Sequence, residues 1–128
     1  MPRALLTLSV LPKNYAICRM EAGSLIAVPA ASDFWSAIRT ADELSVVCEE
    51  SVSPEGARRE TGWRVLKCEG PLDFALTGIM ASIADPLADA GVSIFPLATY
   101  DTDYVLVKDA QLDVAVHALV SFGHVVHV

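Results

Sequence analysis

Basic residues are scarce in this sequence. Nine Lys and Arg stand against 16 Asp and Glu in 128 residues, a net charge of −7. Coating a nucleic-acid duplex draws on clustered cations that displace phosphate counterions, so nucleic acid is excluded as a partner. An anionic membrane surface is disfavoured by the same sign. Long apolar runs are missing too: none approaches the roughly 20 residues that span a bilayer. The first apolar stretch, Ala4 to Leu11, is interrupted at alternate positions by Thr7 and Ser9. Lys13 closes it early and no small-residue cleavage site follows, which argues against a secretory leader and for a cytoplasmic address.

Cysteine is limited to Cys18, Cys48 and Cys68, an odd and widely spaced set among apolar neighbours. Buried thiols are expected, not a disulfide frame or a C-x-x-C metal knuckle. The phosphate-loop pattern G-x-x-x-x-G-K, the G-x-G-x-x-G turn, H-E-x-x-H and the G-x-S-x-G elbow are all absent. His124 and His127, three apart on an expected strand, point to opposite faces, and His117 lies on the preceding helix. Partly exposed imidazoles at a strand terminus fit this spacing better than a three-histidine metal site. No catalytic residue, metal ligand or cofactor is expected, and the chain does not read as an enzyme.

What is present is apolar and ordered. Hydrophobic residues make up 53% and charged residues 20%, in a chain long enough for one compact body or two very small ones. That hydrophobic share exceeds the roughly 45–50% usual for globular domains. The surplus points to a ligand cleft or a subunit interface, hence a homodimer.

The first half alternates in short stretches. Leu6, Leu8 and Val10 share a strand face; Pro12-Lys13-Asn14 turns into a second strand from Tyr15 to Met20. Extended segments are expected at Leu25 to Val28, Phe34 to Arg39 and Leu44 to Cys48, with a short helix at Phe34 to Ile38 as the competing reading. Residues 50–61 are polar and rich in turn formers, which places a module boundary there, between 1–60 and 61–128. Arg58 and Arg59 within it, flanked by Glu55 and Glu60, read as a solvated loop.

The second half is more regular. Trp63 to Cys68 reads as a strand, and Ala75 to Ala90 as a helix with Ile79, Ile83 and Leu87 along one stripe and Gly91 past its end. Pro86 is expected to kink this helix or to start its last segment. Val92 to Ala98 and Asp103 to Lys108 follow as strands. A helix capped by Asp109 carries Leu112, Val116 and Leu119, and His124 to Val128 closes the order. The fold class is therefore α+β: a ferredoxin-like βαββαβ unit with a four-stranded antiparallel sheet and two helices on one face; the first half, of similar length and strand-rich but without a comparably strong helix, leaves a degenerate second copy open.

Polar residues gather at two loops, 69–78 and 99–104. The helix start offers free N–H groups to a carboxylate, and Asp101 or Asp103 offers an acceptor to a cationic group. From spacing alone, a capping Thr77 and two turn-shaping aspartates explain the same residues.

Gly70-Pro71-Leu72-Asp73-Phe74, Leu76-Thr77-Gly78-Ile79, Ile83-Ala84-Asp85-Pro86-Leu87-Ala88 and Thr99-Tyr100-Asp101-Thr102-Asp103-Tyr104-Val105-Leu106-Val107-Lys108 together resemble the small tandem-ACT proteins of bacteria. Those are similar to the ACT modules of the animal cytosolic arginine sensor. Leu11 to Arg19 and Arg39 to Val47 extend the resemblance into the first half. It implies two ACT-type modules in tandem, with a small amino acid bound at a module interface. Leu76, Thr77, Gly78 and Ile79 match the helix-start part of that site. Thr99, Tyr100, Asp101, Thr102 and Asp103 match the other part. Position 101 is aspartate where the animal pattern carries glutamine, so arginine specificity does not transfer. The function implied is a non-catalytic amino-acid sensor acting through an unidentified protein partner. The alternative is a protein-interaction module that has lost its ligand.

Overall fold

A computed structural model describes residues 4–72 and 77–128. The chain divides into two compact units, Lys13–Trp63 and the pair of segments Met1–Pro12 and Arg64–Val128.

The Lys13–Trp63 unit is built on β2 (Tyr15–Met20), β3 (Ser36–Arg39), β4 (Leu44–Glu49) and the first part of β5 (Arg58–Cys68), counting β1 (Thr7–Val10) in the other unit. β2 pairs antiparallel with β4 from Tyr15↔Glu49 to Met20↔Leu44, and antiparallel with β5 on its other side, with a bulge between Tyr15 and Ile17. β3 pairs antiparallel with β4. Alternation puts Ala16, Cys18, Leu44, Val46 and Cys48 on one buried face. This unit has a 3-10 turn at Glu50–Val52 and no α-helix.

One expectation fails here and another holds over its alternative. Leu25 to Val28 forms no strand: Leu25 and Val28 are 92% and 70% exposed. The guanidinium of Arg39 holds the carbonyls of Ala22 and Ser24 instead, so this segment has no ladder to join. Phe34 to Arg39 is extended, not helical, and the strand proper begins at Ser36; Phe34 is buried edge-on against Tyr15, with ring centroids 6.2 Å apart.

The other unit adds α1 (Ile79–Asp89), β6 (Ile94–Ala98), β7 (Asp103–Lys108), α2 (Leu112–Phe122) and β8 (Val125–His127) to β1 and the second part of β5. Its strands run in the order β8-β1-β5-β7-β6. β1 is antiparallel to β5 and parallel to β8, and β6 is antiparallel to β7. The ferredoxin-like order of elements is present, but the sheet has five strands where four were expected. β1 stands between the closing strand and β5, because its Leu8 belongs to the same core as Leu66 and Cys68. β1 therefore belongs to the same unit as the second part of β5.

Leu8, Leu66, Cys68, Val105 and Val107 on the sheet meet Ile79, Ile83, Leu87, Ala115 and Leu119 on the helices. Each such aliphatic side chain contributes about 1.5–3 kcal/mol by leaving water. α1 continues through Pro86 without a break, and Gly91 ends it at φ +74°. Asp109 does not cap α2. It starts a 3-10 turn, Asp109–Gln111, and its carboxylate lies 3.3 Å from the Arg64 guanidinium. His124 is 3% exposed, not partly exposed as its spacing suggested.

Candidate ligand-binding site

The hairpin between β6 and β7 is closed by threonines. Thr99 N–H donates to the Thr102 carbonyl (2.9 Å), and the Thr99 hydroxyl lies 3.1 Å from the same oxygen. The Thr102 hydroxyl donates to the Cys68 carbonyl at 2.6 Å, which fixes the start of β7 beside the end of β5. Leu72 N–H donates to the Asp101 carbonyl at 2.7 Å. Gly70 is required beneath this contact: a Cβ there would lie 3.0 Å from Leu72 N and 3.2 Å from both the Asp101 oxygen and Thr102 Cβ.

At the start of α1 the first residue outside the helix is Gly78, at φ +76°, and no side chain caps it. The capping role expected of Thr77 is therefore not filled by it. The Gly78 carbonyl accepts from Ser82 N–H (3.0 Å) and Ser82 Oγ–H (2.8 Å). The N–H groups of Ile79, Met80 and Ala81 precede the first intrahelical bond and present the positive end of the helix dipole. Thr77 and Gly78 are exposed and Ile79 is buried. Leu76 lies outside the described residues, as do Asp73, Phe74 and Ala75.

β7 begins at Asp103, so strand alternation places Asp103 and leaves Asp101 to the turn. Val105 and Val107 belong to the core under the helices, so Asp103, on the same parity, stands on the helix side of the sheet. Burial pushes the Cys68 thiol above its ordinary value; a hydrogen bond with Thr102 opposes this, and the carboxylates of Asp103 and Glu69 add to it. Lys67, between the core residues Leu66 and Cys68, points to the opposite face.

On that opposite face lies a cavity of about 170 Å³ lined by Lys67, Gly70, Pro71, Thr99, Asp101, Thr102 and Tyr104. Among the expected residues it gathers Thr99, Asp101 and Thr102. Thr77, Gly78, Ile79 and Asp103 are not on its wall, and Tyr100 is 81% exposed. Lys67, Gly70, Pro71 and Tyr104 were not expected there. The signal available for Lys67 was a cation between the apolar residues Leu66 and Cys68 of the strand Trp63 to Cys68, which also carries Arg64. Among the described residues no group of His, Cys, Asp and Glu is arranged to hold a metal ion, and no helix is long and apolar enough to cross a membrane.

A family profile described as an ACT domain matches residues 58–121, half of the chain, and a profile for an N-terminal domain matches residues 13–55. Over 65 residues the chain is 38% identical to the Bos taurus cytosolic arginine sensor for mTORC1 subunit 1, a match covering 47% of this chain and 20% of that protein. The chain thus spans about a fifth of the length of the curated relatives of this kind. A crystal structure of an Agrobacterium tumefaciens protein is similar at a TM-score of 0.85 and 36% identity, covering 98% of this chain and 93% of that one. The ligand-free regulatory subunit of aspartate kinase from Thermus thermophilus shares the fold, with a TM-score of 0.61 at 12% identity over 94% of this chain and 99% of that one.

Proposed function

This chain belongs to the ACT-domain family, and from that premise we propose that it is a non-catalytic regulatory module that binds a small amino acid. The observation that carries the reading is the Thr102–Cys68 bond, which ties the start of β7, and with it Asp103, to the end of β5 from which the chain leads into α1. The uncapped α1 start, Thr77 to Ile79, supplies donors for the ligand carboxylate. Asp103 on the helix side supplies the acceptor for its cationic group. The arginine sensor among the relatives supports an amino acid as the ligand class. In this reading the module passes ligand occupancy to a protein partner, and it works as a homodimer.

A thermal-shift screen against the common amino acids tests this reading. A ligand at 100 times its Kd stabilises the folded state by about 2.7 kcal/mol, enough for a clear rise in Tm. A flat screen removes the amino-acid reading, and turnover of an amino acid by the purified chain removes the non-catalytic one.

A second reading, protein interaction without a ligand, is favoured by one feature. A groove of about 910 Å³ runs along α2, lined largely by aliphatic residues including Val10, Leu112, Val116, Val120 and Val128. Under this reading sedimentation finds a dimer while every amino acid leaves Tm unchanged.

A further inference from the structure

Of the two outer strands in the β8-β1-β5-β7-β6 order, only one carries a guard against further pairing. β6 has Pro96, which brings no N–H to a ladder. β8 has neither a proline nor a charged side chain, and among the described residues it pairs with β1 alone. Val125 N–H donates to the Leu6 carbonyl at 2.9 Å, so Val125 and His127 turn their backbone groups toward β1, and Val126 between them turns its N–H and C=O outward. The surroundings of this edge are uncharged: residues 114–128 contain no Asp, Glu, Lys or Arg in a chain whose net charge is −7. Two such molecules repel, and a face free of like charge is where they approach at least cost. On the helix side of the edge lies the aliphatic groove beside α2, with Val116, Val120 and Val128 in its wall, of which Val120 and Val128 are 52% and 91% exposed. The two formal charges in its lining, Arg64 and Asp113, are of opposite sign and so complement a second copy of themselves. A strand edge turned antiparallel about a two-fold axis is also its own complement: the outward N–H of Val126 on each copy meets the outward C=O of Val126 on the other. That single contact uses up both open edges and leaves only the strands bearing Pro96 at the ends of the joined sheet.

We propose that β8 and the groove beside α2 form the face through which two copies of this chain pair, β8 antiparallel to β8, with the aliphatic walls of the two grooves covering each other. This face rests on the homodimer named above and on neither ligand reading.

The test is sedimentation equilibrium of the full chain together with amide hydrogen exchange read by NMR. A dimer is expected, and exchange of the Val126 amide should slow as protein concentration rises through the dissociation constant. Val120→Lys and Val128→Lys, each checked for native circular dichroism, set like charges against each other across the two-fold and should each raise the dissociation constant about tenfold or more. Ala98→Lys, on the outer strand β6, should leave it unchanged. A wild-type chain that stays monomeric overturns this face and the homodimer together. A dimer in which Val126 exchanges at the monomer's rate, or which folded Val120→Lys and Val128→Lys leave as tight as before, overturns this face alone and leaves the homodimer standing. Weakening by Ala98→Lys only does the same, and would move the contact to β6.

Discussion

His124 Nε2 lies 2.7 Å from the carbonyl oxygen of Ser82, the acceptor that Pro86, four residues further along α1, has no N–H to engage. A carbonyl only accepts, so Nε2 carries the proton, and Nδ1 is left to accept from Leu6 N–H at 3.0 Å. One buried ring thus repairs the gap that proline leaves in the helix and fastens the residue just ahead of β1. Phe122 stacks on it with centroids 5.1 Å apart.

Replacing His124 by alanine strands the Ser82 carbonyl and the Leu6 amide together. Each buried unpaired group costs about 1–3 kcal/mol, so His124→Ala is expected to lower stability by about 2–5 kcal/mol in urea unfolding. Nitrogen NMR of the wild-type ring should report the Nε2–H tautomer; the other tautomer would contradict this network.

Glu49 is bonded to Lys13 Nζ at 3.0 Å and to the Ser32 hydroxyl at 2.8 Å. The Lys13 bond, then the Ser32 bond, hold its carboxyl below the ordinary value of 4.5 against the opposing effect of burial. A lowered folded-state value stabilises the fold fully above pH 4.5, and that contribution disappears as pH falls through the lowered value. Lys13 is raised by the same bond, so its share is complete below 10.5 and lost as pH rises past the raised value. Glu49→Gln should flatten the acid limb of the urea midpoint against pH. An unchanged acid limb would show that the pair contributes nothing.

Cys18, Cys48 and Cys68 are all free and buried. Burial first, and then the neighbouring Cys18, push the Cys48 thiol up to about 11, so its thiolate is scarce at neutral pH. A chromogenic disulfide reagent should find no reactive thiol in the native protein at pH 8 and all three after guanidinium is added. Rapid native labelling of one equivalent would mean that the strand bearing it opens readily.

Gly78 and Asp103 test the helix-side reading. Valine at position 78 would be strained at φ +76° whatever it does to a ligand, whereas asparagine tolerates that conformation and adds bulk where no atom lies within 4 Å. Gly78→Asn should therefore abolish binding of the amino acid found by thermal shift while Tm of the free protein changes little. Asp103→Asn should weaken it by roughly tenfold to more than a hundredfold, the equivalent of one ionic hydrogen bond of about 1.5–3 kcal/mol. Calorimetry showing normal affinity in both variants would place that ligand elsewhere.

Local pattern made much of this fold legible. Alternation between turn formers gave β2 its observed limits, Tyr15 to Met20, and four-residue spacing of Ile79, Ile83 and Leu87 gave the buried stripe of α1. What escaped was non-local. The alternation of Leu6, Leu8 and Val10 tells which way side chains point but not which strand lies alongside, so nothing in it places β1 parallel to β8. Leu25 to Val28 has strand-like residues and no partner, and strand preference without a ladder has little force. The candidate site read in the sequence as a pair of loops, 69–78 and 99–104. Its two faces were not legible, because the separation of Asp103 from Asp101 depends on where β7 begins.

Leu11 N–H donates to the Val65 carbonyl at 2.8 Å, just outside the Lys13–Trp63 unit and its flanking Pro12 and Arg64. That whole unit is in effect the loop of a β1–β5 hairpin. Closure entropy rises only with the logarithm of loop length, so a loop of this size adds no more than a few kcal/mol over a tight turn. The hairpin is thus a natural docking point for exchange: a different inserted module, or a short turn, joined at these two positions would leave the strands of the host sheet in register.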